Sequence, residues 1–211
     1  MSSRDAVLGR IRAALGEGAA DPPPIPREYR QAGTIETGVV ALFCERAADY
    51  LAGVRRVTED ELDAALAEAC AQRGTSSIAT SPGEASRRPT METVTDSPDI
   101  PAADLDRFDA ALTGCALAIA ETGTIVLDGG PESGRRALTL VPDHHLCVVR
   151  ADQIVASVPQ AIAALEKAAR DGCPITFVSG PSATSDIELE RVEGVHGPRR
   201  LDVFVVTSAA S

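Results

Sequence analysis

Between Cys115 and Arg150 the chain is cut into four short apolar runs, Ala116–Ala120, Thr124–Leu127, Ala137–Val141 and Leu146–Val149. The separators are TG, DGGPESG and PDHH. Apolar runs this short, punctuated by Gly, Pro and Asp, read as consecutive strands joined by tight turns. On either side the pattern changes to helices alternating with strands. That alternation predicts an α/β fold, with helices on the faces of a sheet. The antiparallel strands of the middle section make the expected sheet a mixed one.

The flanking elements follow from local signals. Val7, Ile11, Ala14 and Leu15 recur at helical spacing behind Ser2 and Asp5, a capping-box pair, which predicts a helix over 3–15. Asp21 to Pro26 reads DPPPIP and can be neither helix nor central strand. Residues 1–26 are therefore an amino-terminal helical arm with a proline-rich linker, and 27–211 the main α/β domain. The arm docks on its own domain or on a partner chain. Further helices are expected at 35–51, at 59–73 (capped by Thr58 and Glu61, stopped by Gly74), at 104–112 and at 152–171. Strands are expected at 54–57, 76–80, 174–179 and 201–206, with another at 91–94 inside a long polar, proline-rich loop.

Composition narrows the function classes. Twenty Lys and Arg against 31 Asp and Glu give a net charge of −11, which repels a phosphate backbone and an anionic membrane surface. Nucleic acid is not an expected partner. No apolar run approaches the ~18 residues of a membrane helix, so no membrane insertion is expected. The chain has no Trp, two Tyr and four Phe, so its core must come from many Ala, Val, Leu and Ile side chains. Its five cysteines (Cys44, Cys70, Cys115, Cys147, Cys173) are scattered, with no CxxC. They read as mostly buried thiols in a reducing cytoplasm, and no metal site or cluster is expected on this chain.

Three segments combine chemistry with a strand end. Ser179 to Glu190, SGPSATSDIELE, follows a predicted buried strand, turns at Gly180 and Pro181, and crowds Ser182, Thr184, Ser185 and Asp186 together. Hydroxyls and free backbone N–H groups just past a strand suit a phosphate or carboxylate. The same side chains equally suit helix or turn capping. Glu121 to Thr124, ETGT, places an acid beside the apolar run ALAIA, where a carboxyl can serve as acid or base, or simply stand in a solvated hairpin turn. Of the three histidines, His144 and His145 are adjacent in a strand and must face opposite sides. They cannot form a two-His metal site, and His145 is the one assigned to the cleft. His196, in GVHGP, is held by a rigid turn. Arg135 and Arg136, after the glycine-rich hairpin tip Asp128 to Gly134, offer positive charge for an anion or a solvated pair. No GxGxxG, Walker or GxSxG motif is present.

Taken in order, ETGT (Glu121–Thr124), GRRALTLVPDHH (Gly134–His145), GPSATSDIE (Gly180–Glu188) and GVHGP (Gly194–Pro198) resemble the lactate utilization protein C family, the LUD-domain proteins. The resemblance covers about residues 104–206. Ala183 departs from it, standing where the family often has Asn. The resemblance implies a fold similar to the NagB/RpiA/CoA-transferase-like α/β proteins. It also implies a role in a system that oxidises L-lactate to pyruvate with separate iron–sulfur partner subunits, the clusters residing on those partners and no cofactor on this chain. Fold alone does not assign chemistry.

The expectation carried forward is one polar cleft. Glu121 or His196 would handle a proton. Thr122, Gly123, Thr124, His145, Gly180, Ser182, Thr184, Asp186 and Glu188 would form the ligand-binding wall, the two acids fixing the loop. The alternative is a stand-alone enzyme or ligand-binding module acting on a small anionic metabolite, phosphorylated or acyl.

Overall fold

A computed structural model describes residues 2–16, 23–28, 38–87, 91–185, 191–193 and 197–208. In chain order the elements are α1 (Ser3–Leu15), α2 (Val39–Asp49), β1 (Gly53–Val57), α3 (Glu59–Arg73), β2 (Ser77–Thr80), β3 (Glu92–Thr95) and β4 (Ala110–Thr113). There follow β5 (Leu117–Ile119), β6 (Thr124–Leu127), β7 (His144–Arg150), β8 (Ile154–Val155), α4 (Val158–Ala164), α5 (Glu166–Arg170), β9 (Thr176–Val178), β10 (Ala183–Ser185), β11 (Arg191–Glu193) and β12 (Arg200–Val206).

Six strands form the main sheet in the order β1-β12-β7-β4-β2-β3, and every neighbouring pair is parallel. The central strands explain why. β7 and β12 are buried along nearly their whole length, on both faces. Near-continuous apolar runs such as Leu146–Val149 and Val203–Val206 satisfy that environment. The antiparallel strands expected from the middle section are present but form a second sheet, β8-β5-β6-β9, in which β6 runs antiparallel to β5 and β9. The fold is α/β as expected, with the two pairing modes segregated.

Side-chain alternation sorts the core into layers. Leu146, Val148 and Phe204 meet Leu62, Leu66 and Cys70 of α3 on one face of the main sheet. Cys147, Val149, Val203 and Val205 meet Ala118, Ala120, Ile125 and Leu127 of the second sheet, and Phe43 and Ala47 of α2, on the other. α4 then covers the outer face of the second sheet, with Ala161 and Leu165 against Leu117, Ile119 and Val126. Burying one such aliphatic side chain contributes about 2 kcal/mol, so a core poor in aromatics depends on the number of these contacts.

Three local expectations are corrected. Ala110–Thr113 is a buried strand preceded by a 3-10 turn at Ala102–Arg107, where a helix over 104–112 was expected. An Ala-Ala-Leu run buried on both faces has no period with which to declare itself. Ala137–Val141 is not a strand, since Arg136–Thr139 forms a 3-10 turn. The expected helix over 152–171 is interrupted: Ile154–Val155 pairs with β5, and the helix begins only after Ser157, with Pro159 in its first turn. By contrast, Thr58 and Glu61 do cap α3, the Thr58 N–H donating to Glu61 Oε2 at 2.9 Å. Among the described residues no helix is long and apolar enough to cross a membrane.

Candidate functional site

The carboxyl end of β9 and the amino ends of β7 and β12 converge on a cavity of about 230 Å³. Its walls are Arg136, Thr139, His145, residues 176–182, Gly197, Pro198 and Leu201. The expected position beyond a strand's carboxyl end holds for β9 alone. Relative to the main parallel sheet the cavity lies at the opposite, amino-terminal ends of the strands.

The 3-10 turn after Arg135 splits the two arginines between different tasks. Arg135 grips Asp96 through both carboxylate oxygens, at 2.7–3.0 Å, and donates to the Ile100 carbonyl. Arg136 turns toward the cavity and donates from Nη1 to Thr139 Oγ1 at 2.9 Å. Among the described residues no carboxylate forms an ion pair with Arg136. Partial burial pushes the pKa of its guanidinium down from the ordinary value. A desolvated cation of this kind is stabilised by a bound anion. Ser179 and Ser182, past β9, and Thr139 supply hydroxyls on the same walls.

Gly180 fixes the turn between those serines. Its φ is +82°, and a Cβ there would lie 2.2 Å from the Tyr50 carbonyl oxygen, so only glycine lets the loop lie against the end of α2. The Ser182 N–H donates to the Pro198 carbonyl at 2.8 Å. This bond brings the last glycine-containing turn against the β9 loop.

His145 faces the second sheet and His144 faces α3, as adjacent strand residues must. His145 Nε2 lies 2.8 Å from Thr113 Oγ1. Cys147, two residues along the same face, is fully buried beneath it. The neighbouring Cys115 thiol, joined by His145 and Thr113, outweighs burial and pulls the Cys147 thiol below its ordinary value, while the Cys115 thiol is pushed up. His144 Nε2 instead lies 2.7 Å from Asp202 Oδ2, outside this cavity.

The ETGT turn stands behind the cavity wall. Thr122 and Thr124 hydroxyls are 2.7 Å apart, and Thr124 Oγ1 is 2.8 Å from Ser179 Oγ. Gly123 packs against the backbone of Arg46 and Ala47 in α2. Glu121 Oε1 accepts the Val158 N–H at 2.8 Å, at the start of α4, and is not among the lining residues. Thr184 lies in β10 opposite Val192. Asp186, Glu188 and His196 lie outside the described residues. The structure thus brings His145, Gly180 and Ser182 to one cavity, with Thr124 one hydrogen bond behind it and Thr122 two. It adds Arg136, Thr139 and Ser179. The spacing of His145 and Cys147, same face of one strand, was a readable signal for the buried thiol.

An α/β protein with a cation-bearing cavity between two sheets is the class these features define. The LUD-domain family matches residues 100–206, and the chain belongs to that family. It is 46% identical over 199 residues to lactate utilization protein C of Deinococcus radiodurans, covering 94% of this chain and 92% of that one. It is 34% identical over 106 residues to lactate utilization protein C of Bacillus licheniformis, covering 48% of this chain and 43% of that relative. A crystal structure of a DUF162 family protein from Deinococcus radiodurans superposes with a TM-score of 0.66 at 42% identity, over 80% of this chain and 96% of that one.

Proposed function

We propose that this chain is a cytoplasmic component of an L-lactate utilization system, and that its cavity holds the carboxylate of a small metabolite against Arg136. The carrying observation is the half-buried Arg136 guanidinium, which has no ion-pair partner among the described residues and faces a cavity bordered by Ser179, Ser182 and Thr139. The 46% identity to a lactate utilization protein C over 94% of the chain supports the pathway. Conversion of L-lactate to pyruvate releases two electrons and two protons. In this reading the electrons pass to iron–sulfur clusters on partner subunits, and this chain carries no cofactor of its own. His145, over Thr113 and Cys147, is the described group placed to hold a proton at the cavity.

Calorimetric titration with L-lactate and with pyruvate tests the cavity, comparing the native chain with Arg136→Leu. Loss of a charged hydrogen bond of about 1.5–3 kcal/mol corresponds to roughly ten- to hundredfold weaker binding. Equal affinities, or no binding by the native chain, overturn the assignment. Deleting the gene should abolish growth on L-lactate and spare growth on glucose; unimpaired growth on lactate overturns the pathway. Turnover of L-lactate by the isolated protein, without partner subunits, would overturn the requirement for them.

A further inference from the structure

Two surfaces of this molecule are unsatisfied in the single chain, and they match each other. The first is α1. Val7, Ile11 and Leu15 form a stripe along it that is 50%, 50% and 61% exposed, and the helix buries no residue. At 100° per residue Arg10 and Arg12 fall on opposite flanks of that stripe, with Arg4 at its start. Asp5 is the helix's single acid, so this segment is positive in a chain of net −11.

The second surface is a groove of about 580 Å³ between the β8 edge of the second sheet and helices α4 and α5. Leu117, Val155 and Leu165 give it an apolar floor, and Asp128, Asp152 and Asp171 rim it. Lys167 pairs with Asp171. Asp152 is exposed and makes no ion pair among the described residues. The groove has the polarity and charge that an apolar stripe flanked by arginines requires.

We infer that α1 of one copy docks in the β8–α4–α5 groove of a second copy, giving a two-fold dimer by reciprocal exchange of the arms. Exchange satisfies both surfaces twice, and swapped elements are a low-cost route to closed dimers. The chain from Gly16 to Gly38, at up to ~3.5 Å per residue, is long enough to reach a neighbour. The capping box at Ser2 and Asp5 keeps α1 helical before it docks.

Sedimentation velocity on the full chain reads the outcome. The native protein should sediment as a dimer, and Ile11→Asp as a monomer that keeps the native circular dichroism spectrum, since Ile11 is exposed in the single chain. Arg10→Glu with Arg12→Glu should raise the dimer dissociation constant at least about tenfold, an effect that shrinks with added salt. A monomeric native chain, or an Ile11→Asp variant that stays dimeric, overturns the inference. Ala14→Cys, beside the apolar stripe, in a Cys173→Ser chain, mixed with native protein and joined by a bismaleimide, identifies the groove, because Cys173 lines it. Linked Ala14→Cys and Cys173 peptides from two chains are expected. Failure to link them overturns the proposal, as does linkage only within one chain when both cysteines are present together.

Discussion

Thr124 and Ser179, 55 positions apart in sequence, hold their hydroxyls 2.8 Å from each other, and Thr122 extends the chain at 2.7 Å. This contact ties the β5–β6 turn to the cavity wall. A double-mutant cycle of Thr124→Ala and Ser179→Ala should give a coupling energy of about 1 kcal/mol in urea unfolding. Additive effects would mean that the two hydroxyls are held by water or backbone instead.

Asp202 supplies a pH signature. Burial pushes its carboxyl up, but His144 and Arg73 outweigh burial and hold it below the ordinary carboxylate value. A carboxyl lowered in the folded state stabilises above its unfolded pKa, and that contribution disappears as pH falls through the folded one. Asp202→Asn should therefore cost about 2 kcal/mol near neutrality. The difference from the native protein should shrink as pH drops below the ordinary carboxylate range. A difference that stays constant across that range removes the assignment.

Glycine substitutions separate strain from collision. Gly172 and Gly180 both have positive φ, but a Cβ at Gly172 meets nothing within 4 Å, whereas at Gly180 it meets the Tyr50 carbonyl. Gly172→Ala should cost about 1 kcal/mol, the penalty of the left-handed conformation alone. Gly180→Ala should cost clearly more and also weaken anion binding, because Ser179 and Ser182 must shift. Thermal melts of the two variants make the comparison directly.

Thiol labelling follows the burial pattern. Cys173 is exposed, Cys44 is half-buried, and Cys70, Cys115 and Cys147 are buried. A disulfide reagent added to the folded Ile11→Asp variant, whose groove is left open, should modify Cys173 first and Cys44 more slowly. The other three should react only in denaturant. Rapid native labelling of Cys147 would show that the floor under His145 opens to solvent.

Local signals were readable wherever neighbours in sequence do the work. The Thr58–Glu61 box, the Ser2–Asp5 box and the facing of His145 away from His144 all follow from spacing alone. What sequence concealed was tertiary. Ala110–Thr113 pairs on both sides yet shows no alternation, and Ile154–Val155 is apolar enough to extend a helix until β5 claims it. Arg135 and Arg136 look equivalent in sequence; only the position of Asp96 decides which is neutralised and which faces the cavity. Glu121 drew attention by its apolar neighbours, but its carboxylate accepts a backbone N–H at the head of α4.

Among the described residues β1, an edge strand of the main sheet, pairs only with β12, from Gly53 against Asp202 to Val57 against Val206. During synthesis β1 stays without this partner until β12 has been made and has left the ribosome. β12 also pairs with β7 and supplies Leu201 to the cavity. A chain cut before Arg200 therefore lacks the strand that pairs with β1 and the Leu201 wall of the cavity. Proteolytic quality control would meet that chain unfinished.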